Sequence, residues 1–166
     1  MNRKSKRHKP FSHNPHRDAD RRAIWRILMP EDFEGWCSAS FAKCRTRFDR
    51  DFCGYNARFK ADPDQWRLDF PMLAPYARAW LASARWGQKN RPRHETWMEF
   101  YDRSVRLDAI DIAHGRALAR KDFWGVTTLR NGRKFKIAWK THYWLRKRGR
   151  QWKITGFIGY MPYTGK

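Results

Sequence analysis

The stretch Lys134-Phe135-Lys136-Ile137-Ala138-Trp139-Lys140-Thr141-His142-Tyr143-Trp144-Leu145-Arg146-Lys147 alternates with a period of two. Phe135, Ile137, Trp139, Thr141, Tyr143 and Leu145 fall on one face, and Lys134, Lys136, Lys140, His142, Trp144 and Arg146 on the other. Successive side chains of an extended chain point to opposite sides, so the run predicts one long strand with an aromatic inner face and a basic outer face. Asn131-Gly132 precedes it and suits a two-residue hairpin, because a type I′ turn needs positive φ at both central positions. Arg148-Gly149-Arg150 supplies the next reversal, and His114-Gly115 an earlier one. Strands are therefore predicted over 105–113, 117–129, 134–147 and 151–160. Strands joined by so few residues must run antiparallel.

Upstream of residue 105 the period becomes that of a helix. From Glu31, the residues Phe33, Trp36, Cys37, Phe41, Cys44 and Phe48 recur at helical spacing, with Glu31, Asp32 and Glu34 in the first turn, where the macrodipole favours acids. Phe52, Tyr55 and Phe59 predict a shorter second helix. Asp62-Pro63-Asp64 breaks it, and Trp66, Leu68 and Phe70 then alternate with polar neighbours as in a short strand. Met72, Leu73, Tyr76, Trp80, Leu81 and Ala84 mark another helix, and Trp97, Phe100 and Tyr101 one or two more helical turns. Helices first and a meander second predict an α+β domain with helices against one face of the sheet.

Residues 1–22 stand apart, with eight Lys/Arg against Asp18 and Asp20, and Phe11 as the one sizeable apolar side chain after Met1. Such a segment cannot offset its ordering entropy, so a basic arm, disordered when free, is expected ahead of a single domain over 23–166. The 41% hydrophobic content of the 166 residues suffices for one core. A mean hydropathy of −0.95, with no apolar run near the ~18 residues a span requires, excludes a membrane-spanning helix. Three cysteines without a Cys-x-x-Cys pair argue against a disulfide scaffold and a zinc ribbon; Cys37 and Cys44 share a helical face as buried free thiols. No apolar stretch follows the basic N-terminus, so the reducing cytoplasm is the expected compartment. There is no metal-ligand spacing, no glycine-rich phosphate loop and no serine or cysteine nucleophile motif; no metal and no cofactor are expected.

Three stretches carry a resemblance. Asp49-Arg50-Asp51-Phe52-Cys53-Gly54-Tyr55 resembles the helix-to-helix step of the nuclear transport factor 2-like superfamily, also called the SnoaL-like or ketosteroid-isomerase-like group. Trp66-Arg67-Leu68-Asp69-Phe70-Pro71 is similar to its first strand. The stretch from Gly132 to Gly149-Arg150-Gln151-Trp152-Lys153-Ile154 is similar to its last hairpin, with one extra residue before Trp152. The likeness covers roughly residues 31 to 163. It implies a cystatin-like cone, with helices packed in the concavity of a curved antiparallel sheet, and a homodimer formed through that sheet. The scaffold hosts isomerases, dehydratases, cyclases and non-catalytic modules, so it does not name a reaction.

In the isomerase branch a carboxylate at the end of the first strand shuttles the proton, and the resemblance puts Asp69 there. Capping of the following helix, or pairing with Arg67, is the alternative role. The branch's oxyanion partners are replaced by Thr141 or His142 and by Lys43, so a ketosteroid-type isomerisation is not expected. Strand alternation adds Tyr143 as a hydrogen-bond donor beside Asp69, with Tyr55, Trp66, Trp80, Tyr101, Trp139 and Thr141 lining the pocket. Two function classes follow: cofactor-independent isomerase, lyase or cyclase chemistry on a small hydrophobic molecule, or a non-catalytic ligand-binding or dimerisation module.

The formal charge is +21, unevenly placed. Asp122 is the last acidic residue, and eleven Lys/Arg follow it unopposed. Lys136, Lys140, Trp144 and Arg146 on the outer strand face combine cations with an aromatic ring, the ingredients of non-specific contact with a polyanion such as nucleic acid.

Overall fold

The computed structural model describes residues 9–163. Helix α1 (Ala19–Arg26) is capped by Asp18, whose carboxylate accepts the Arg21 N–H. It continues into a single π-helical turn, Ile27–Glu31, that contains Pro30. The wider turn suits a residue that has no N–H to give. Helix α2 (Asp32–Cys37) follows, then the four-residue α3 (Ala42–Arg45). The one helix predicted from Glu31 to Phe48 is thus broken after Cys37. There the Ser38 hydroxyl donates to the Glu34 carbonyl at 2.7 Å, and Ala39 takes a φ of 49°.

The predicted second helix is a strand, β1 (Phe48–Asn56). Its pairing with the last strand slips between Phe48 and Cys53, which leaves Arg50 and Asp51 adjacent and both exposed. That irregularity interrupts the period of two and leaves aromatic spacings that imitate a helix. Next come β2 (Arg67–Phe70), α4 (Leu73–Lys89) and α5 (Trp97–Ser104). A capping box starts α5: Glu99 N–H donates to the Thr96 hydroxyl, and the Glu99 carboxylate accepts Thr96 N–H. The meander is β3 (Val105–Ala113), β4 (Arg116–Thr128), β5 (Lys134–Arg148) and β6 (Gln151–Pro162).

The strands lie in the order β2-β1-β6-β5-β4-β3. All neighbours are antiparallel except β1 and β6, which run parallel. The sheet is therefore mixed where hairpin reasoning gave antiparallel pairs alone. The parallel pair is joined by β2, α4, α5 and the strands β3 to β5, a connection no tight turn could make. The sidedness predicted for residues 134–147 holds: Ile137, Thr141, Tyr143 and Leu145 are buried against the helical layer, together with Ile24, Leu28, Phe52, Phe100 and Leu107.

Residues 9–22 pack against this core, contrary to the expected disordered arm. Phe11 is 8% exposed and stacks on Phe33 with centroids 5.3 Å apart, and its N–H donates to Asp102 at 2.8 Å. His16 Nε2 lies 2.9 Å from the Leu107 carbonyl oxygen, and Arg21 Nε donates to that of Ile110, so this segment covers the outer edge of β3. Composition averages over the segment and misses that its one large apolar ring reaches an aromatic stack. Residues 1–8 of the expected arm lie outside the described residues. No helix among the described residues is long and apolar enough to cross a membrane.

Candidate functional site

Between the helices and the inner face of the sheet lies a cavity of about 380 Å³, in which thirteen of twenty lining residues are aromatic. Its volume is near the lower end of the ~300–1,000 Å³ usual for ligand pockets. Asp32 is the one carboxylate in the lining. The π-helical turn hands the chain to α2 at this residue.

Asp32 Oδ2 accepts from Lys121 Nζ at 2.8 Å, and Oδ1 from Trp80 Nε1 at 3.4 Å. The Lys121 side chain is completely buried. Its ammonium sits 4.2 Å from the Phe33 ring centroid, 5.4 Å from that of Phe123 and 5.8 Å from that of Tyr143. Burial pulls its pKa below the ordinary lysine value, and the charge and hydrogen bond of Asp32 oppose that shift without cancelling it. An unpaired buried ammonium would be far costlier, so Asp32 and the three ring faces are what make the position tenable.

Three tyrosines converge on the same space: Tyr76, Tyr101 and Tyr143. Burial holds each phenol well above the ordinary tyrosine value, so each keeps its proton and can only donate or accept a hydrogen bond. Among the described residues no hydrogen bond is made by any of the three hydroxyls, and all three residues line the cavity.

The cavity brings together five of the residues expected at the site, namely Trp80, Tyr101, Trp139, Thr141 and Tyr143. Asp69 does not line it. On β2 it alternates with Phe70, which does, and its carboxylate instead accepts from Asn56 Nδ2 at 3.0 Å. Tyr55 is off the cavity, its ring 6.4 Å from that of Trp144 on the outer face, because it alternates with Gly54 and Asn56, which face inward. Trp66 precedes β2 rather than belonging to it, and its Nε1 donates to the Lys60 carbonyl at 3.0 Å. Sequence reasoning missed Asp32 and Lys121. The available signal was a lysine on the inner row Ala117, Ala119, Lys121, Phe123 of an alternating strand.

The four outer-face residues also divide. Trp144 lies over Gly156, where an added Cβ would come within 2.4 Å of the indole, and the Arg146 guanidinium is 3.6 Å from Asp51. Both serve the sheet itself. Lys136 is exposed, 5.4 Å from the Trp124 ring, and also lines the cavity, while Lys140 lies 5.8 Å from the Tyr163 ring. Burial pushes the Cys37 and Cys44 thiols up to about 12, so neither supplies a thiolate. Among the described residues no three His, Cys, Asp or Glu side chains come together to hold a metal ion.

The chain matches no protein-family description and no curated protein sequence. Solved structures do resemble it. An NTF2-like protein of unknown function from Shewanella baltica is 17% identical over 88% of this chain and 96% of that one, with a TM-score of 0.55. A domain with a cystatin-like fold from Nostoc punctiforme is 13% identical over 90% of this chain and 81% of that one, with a TM-score of 0.59. A ketosteroid isomerase-like protein from Erwinia carotovora is 12% identical over 82% and 92%, with a TM-score of 0.51. Identities this low speak for architecture alone, and the architecture is that of the nuclear transport factor 2-like, cystatin-like fold.

Proposed function

We propose that the cavity binds a small, largely apolar molecule and moves a proton on it, as an isomerase, lyase or cyclase does, with Asp32 as the proton acceptor. The observation that carries this reading is a carboxylate in an aromatic cavity whose one oxygen is tied to a buried ammonium while the other faces the cavity with only a 3.4 Å contact. The aromatic walls supply apolar area and fix the plane of a flat ligand. Asp32 Oδ1 accepts the proton, and a tyrosine hydroxyl, Tyr143 or Tyr101, donates to the ligand oxygen on which negative charge develops. Among the described residues the Lys121 ammonium meets the Asp32 carboxylate and three ring faces, and it is not in the cavity lining, so it acts as a positioning residue.

The test uses neutral cyclic enones and ketones as probes, first for thermal stabilisation of the full chain and then for deuterium uptake at the carbon next to the carbonyl. Exchange should fall by at least about 100-fold in Asp32→Asn, the usual scale of general-base catalysis. It should persist in Asp69→Asn. Exchange that survives in Asp32→Asn overturns the assignment, and its loss in Asp69→Asn alone would support the strand-end carboxylate instead. Binding without exchange in the unaltered protein would favour a non-catalytic ligand-binding module.

A further inference from the structure

The outer face of the sheet carries features of which only Lys136 is shared with the cavity lining. Trp124, in the second half of β4, is 56% exposed, and it stacks on Tyr163 with centroids 4.8 Å apart and planes 18° from parallel. Lys136 and Lys140 lie against these two rings. The register of β4 and β5 pairs Thr128 with Lys134, Val126 with Lys136, Trp124 with Ala138 and Asp122 with Lys140, so the three lysines and the indole share one surface. Same-side positions along a strand recur every ~6.7 Å, which makes the lysines a row. The acid within that surface, Asp122, is bound by Arg120 at 3.1 Å. A solvated face needs lysines but has no use for a bare indole stacked on a phenol.

We propose that this face binds single-stranded nucleic acid, with bases stacking at Trp124 and Tyr163 and phosphates held by Lys134, Lys136 and Lys140. Aromatic platforms beside cations are how unpaired strands are held without sequence preference, since every base offers a π face. A duplex keeps those faces hidden within its stack. A second copy of this chain would set two basic faces against each other, which the charge of +21 opposes. Apart from Lys136, which also lines the cavity, this inference uses none of the cavity's residues.

Fluorescence anisotropy of the full chain with labelled 20-residue oligo-dT and oligo-U, from 50 to 200 mM salt, tests it. Three phosphate contacts predict a log–log slope of about −2, hence about a 20-fold loss of affinity over that range. Trp124→Ala leaves the charge unchanged and should weaken binding at least about five-fold with the slope preserved. The double variant Lys136→Gln/Lys140→Gln should flatten the slope by about 1.4. Unaltered affinity in Trp124→Ala, equal binding of a duplex, preference for anionic phosphatidylserine vesicles over the oligonucleotide, or a dimer in sedimentation that Trp124→Ala dissociates would each overturn the proposal.

Discussion

At the scale of the residue, Lys121 decides more than any other side chain. A lysine on the inner row of a strand must exclude water from its charge, and here the compensation is one carboxylate oxygen at 2.8 Å and three ring faces. Removing one partner of a buried pair costs about 3–5 kcal/mol, more than removing both. The Asp32 side chain keeps 25% of its surface open to the cavity, which softens the penalty. Lys121→Met is therefore expected to lower stability by about 2–3 kcal/mol in urea unfolding, and adding Asp32→Asn to recover most of it. Equal, additive losses in the two single variants would show that the pair is not coupled. Asp32 was hidden because an acid at a helix start is already explained by the macrodipole, and Lys121 was passed over although it sits on the inner row of an alternating strand. Tyr143 was legible, since its side of β5 follows from alternation alone. Asp69 was proposed from the resemblance rather than from alternation, and alternation separates it from Phe70, which lines the cavity.

At the scale of the element, the meander was readable from its turns and the helical layer only from its spacing. Spacing failed where geometry was irregular, in the slipped register of β1 and the break after Cys37 at the end of α2. The contact between α2 and α4 shows how closely the layer is fitted. At Gly87 an added Cβ would lie 2.1 Å from Trp36 Cη2, and Trp36 is held by its Nε1 donating to the Ser83 hydroxyl at 3.1 Å. The Gly87 carbonyl also accepts Trp97 Nε1 at 2.7 Å. Two effects oppose each other in Gly87→Ala. Helix propensity gains about 1 kcal/mol, and overpacking costs about 1–3 kcal/mol. With Trp36 pinned, overpacking should win by about 1 kcal/mol, seen as a lower Tm together with altered near-ultraviolet circular dichroism from the displaced indole. A higher Tm would mean that Trp36 can swing aside and that the cavity wall it forms is adjustable.

At the scale of the whole molecule, thirty-seven basic side chains face sixteen acidic ones, and the fold places several scarce acids where each holds distant parts together. Asp20 on α1 accepts from Lys147 at 2.8 Å and from Trp152 Nε1 at 2.9 Å, and Asp49 on β1 accepts from Arg148 at 2.9 Å. The charge total was plain in the sequence, but these pairings were not, because the partners lie 99 to 132 residues apart and meet only through the sheet order. The hydrogen bond from Arg148 is the main reason Asp49 titrates at about 2, with the Asp51 N–H adding to it and burial opposing both. A carboxyl depressed in the folded state contributes fully above its ordinary value near 4 and loses that contribution as pH falls through about 2. Asp49→Asn should accordingly cost about 1–2 kcal/mol at pH 7, discounted for the exposed Arg148, and the gap to the unaltered protein should close by pH 2. Salt separates pairing from net repulsion. Raising sodium chloride from 20 to 200 mM shortens the screening length to under ~10 Å, which weakens long-range repulsion among the unpaired cations more than contacts below 3 Å. Tm at pH 7 should therefore rise by about 2–4 °C over that range, while affinity for an oligonucleotide falls. A Tm that instead declines with salt would mean that the ion pairs of the few acids outweigh the mutual repulsion of all the cations.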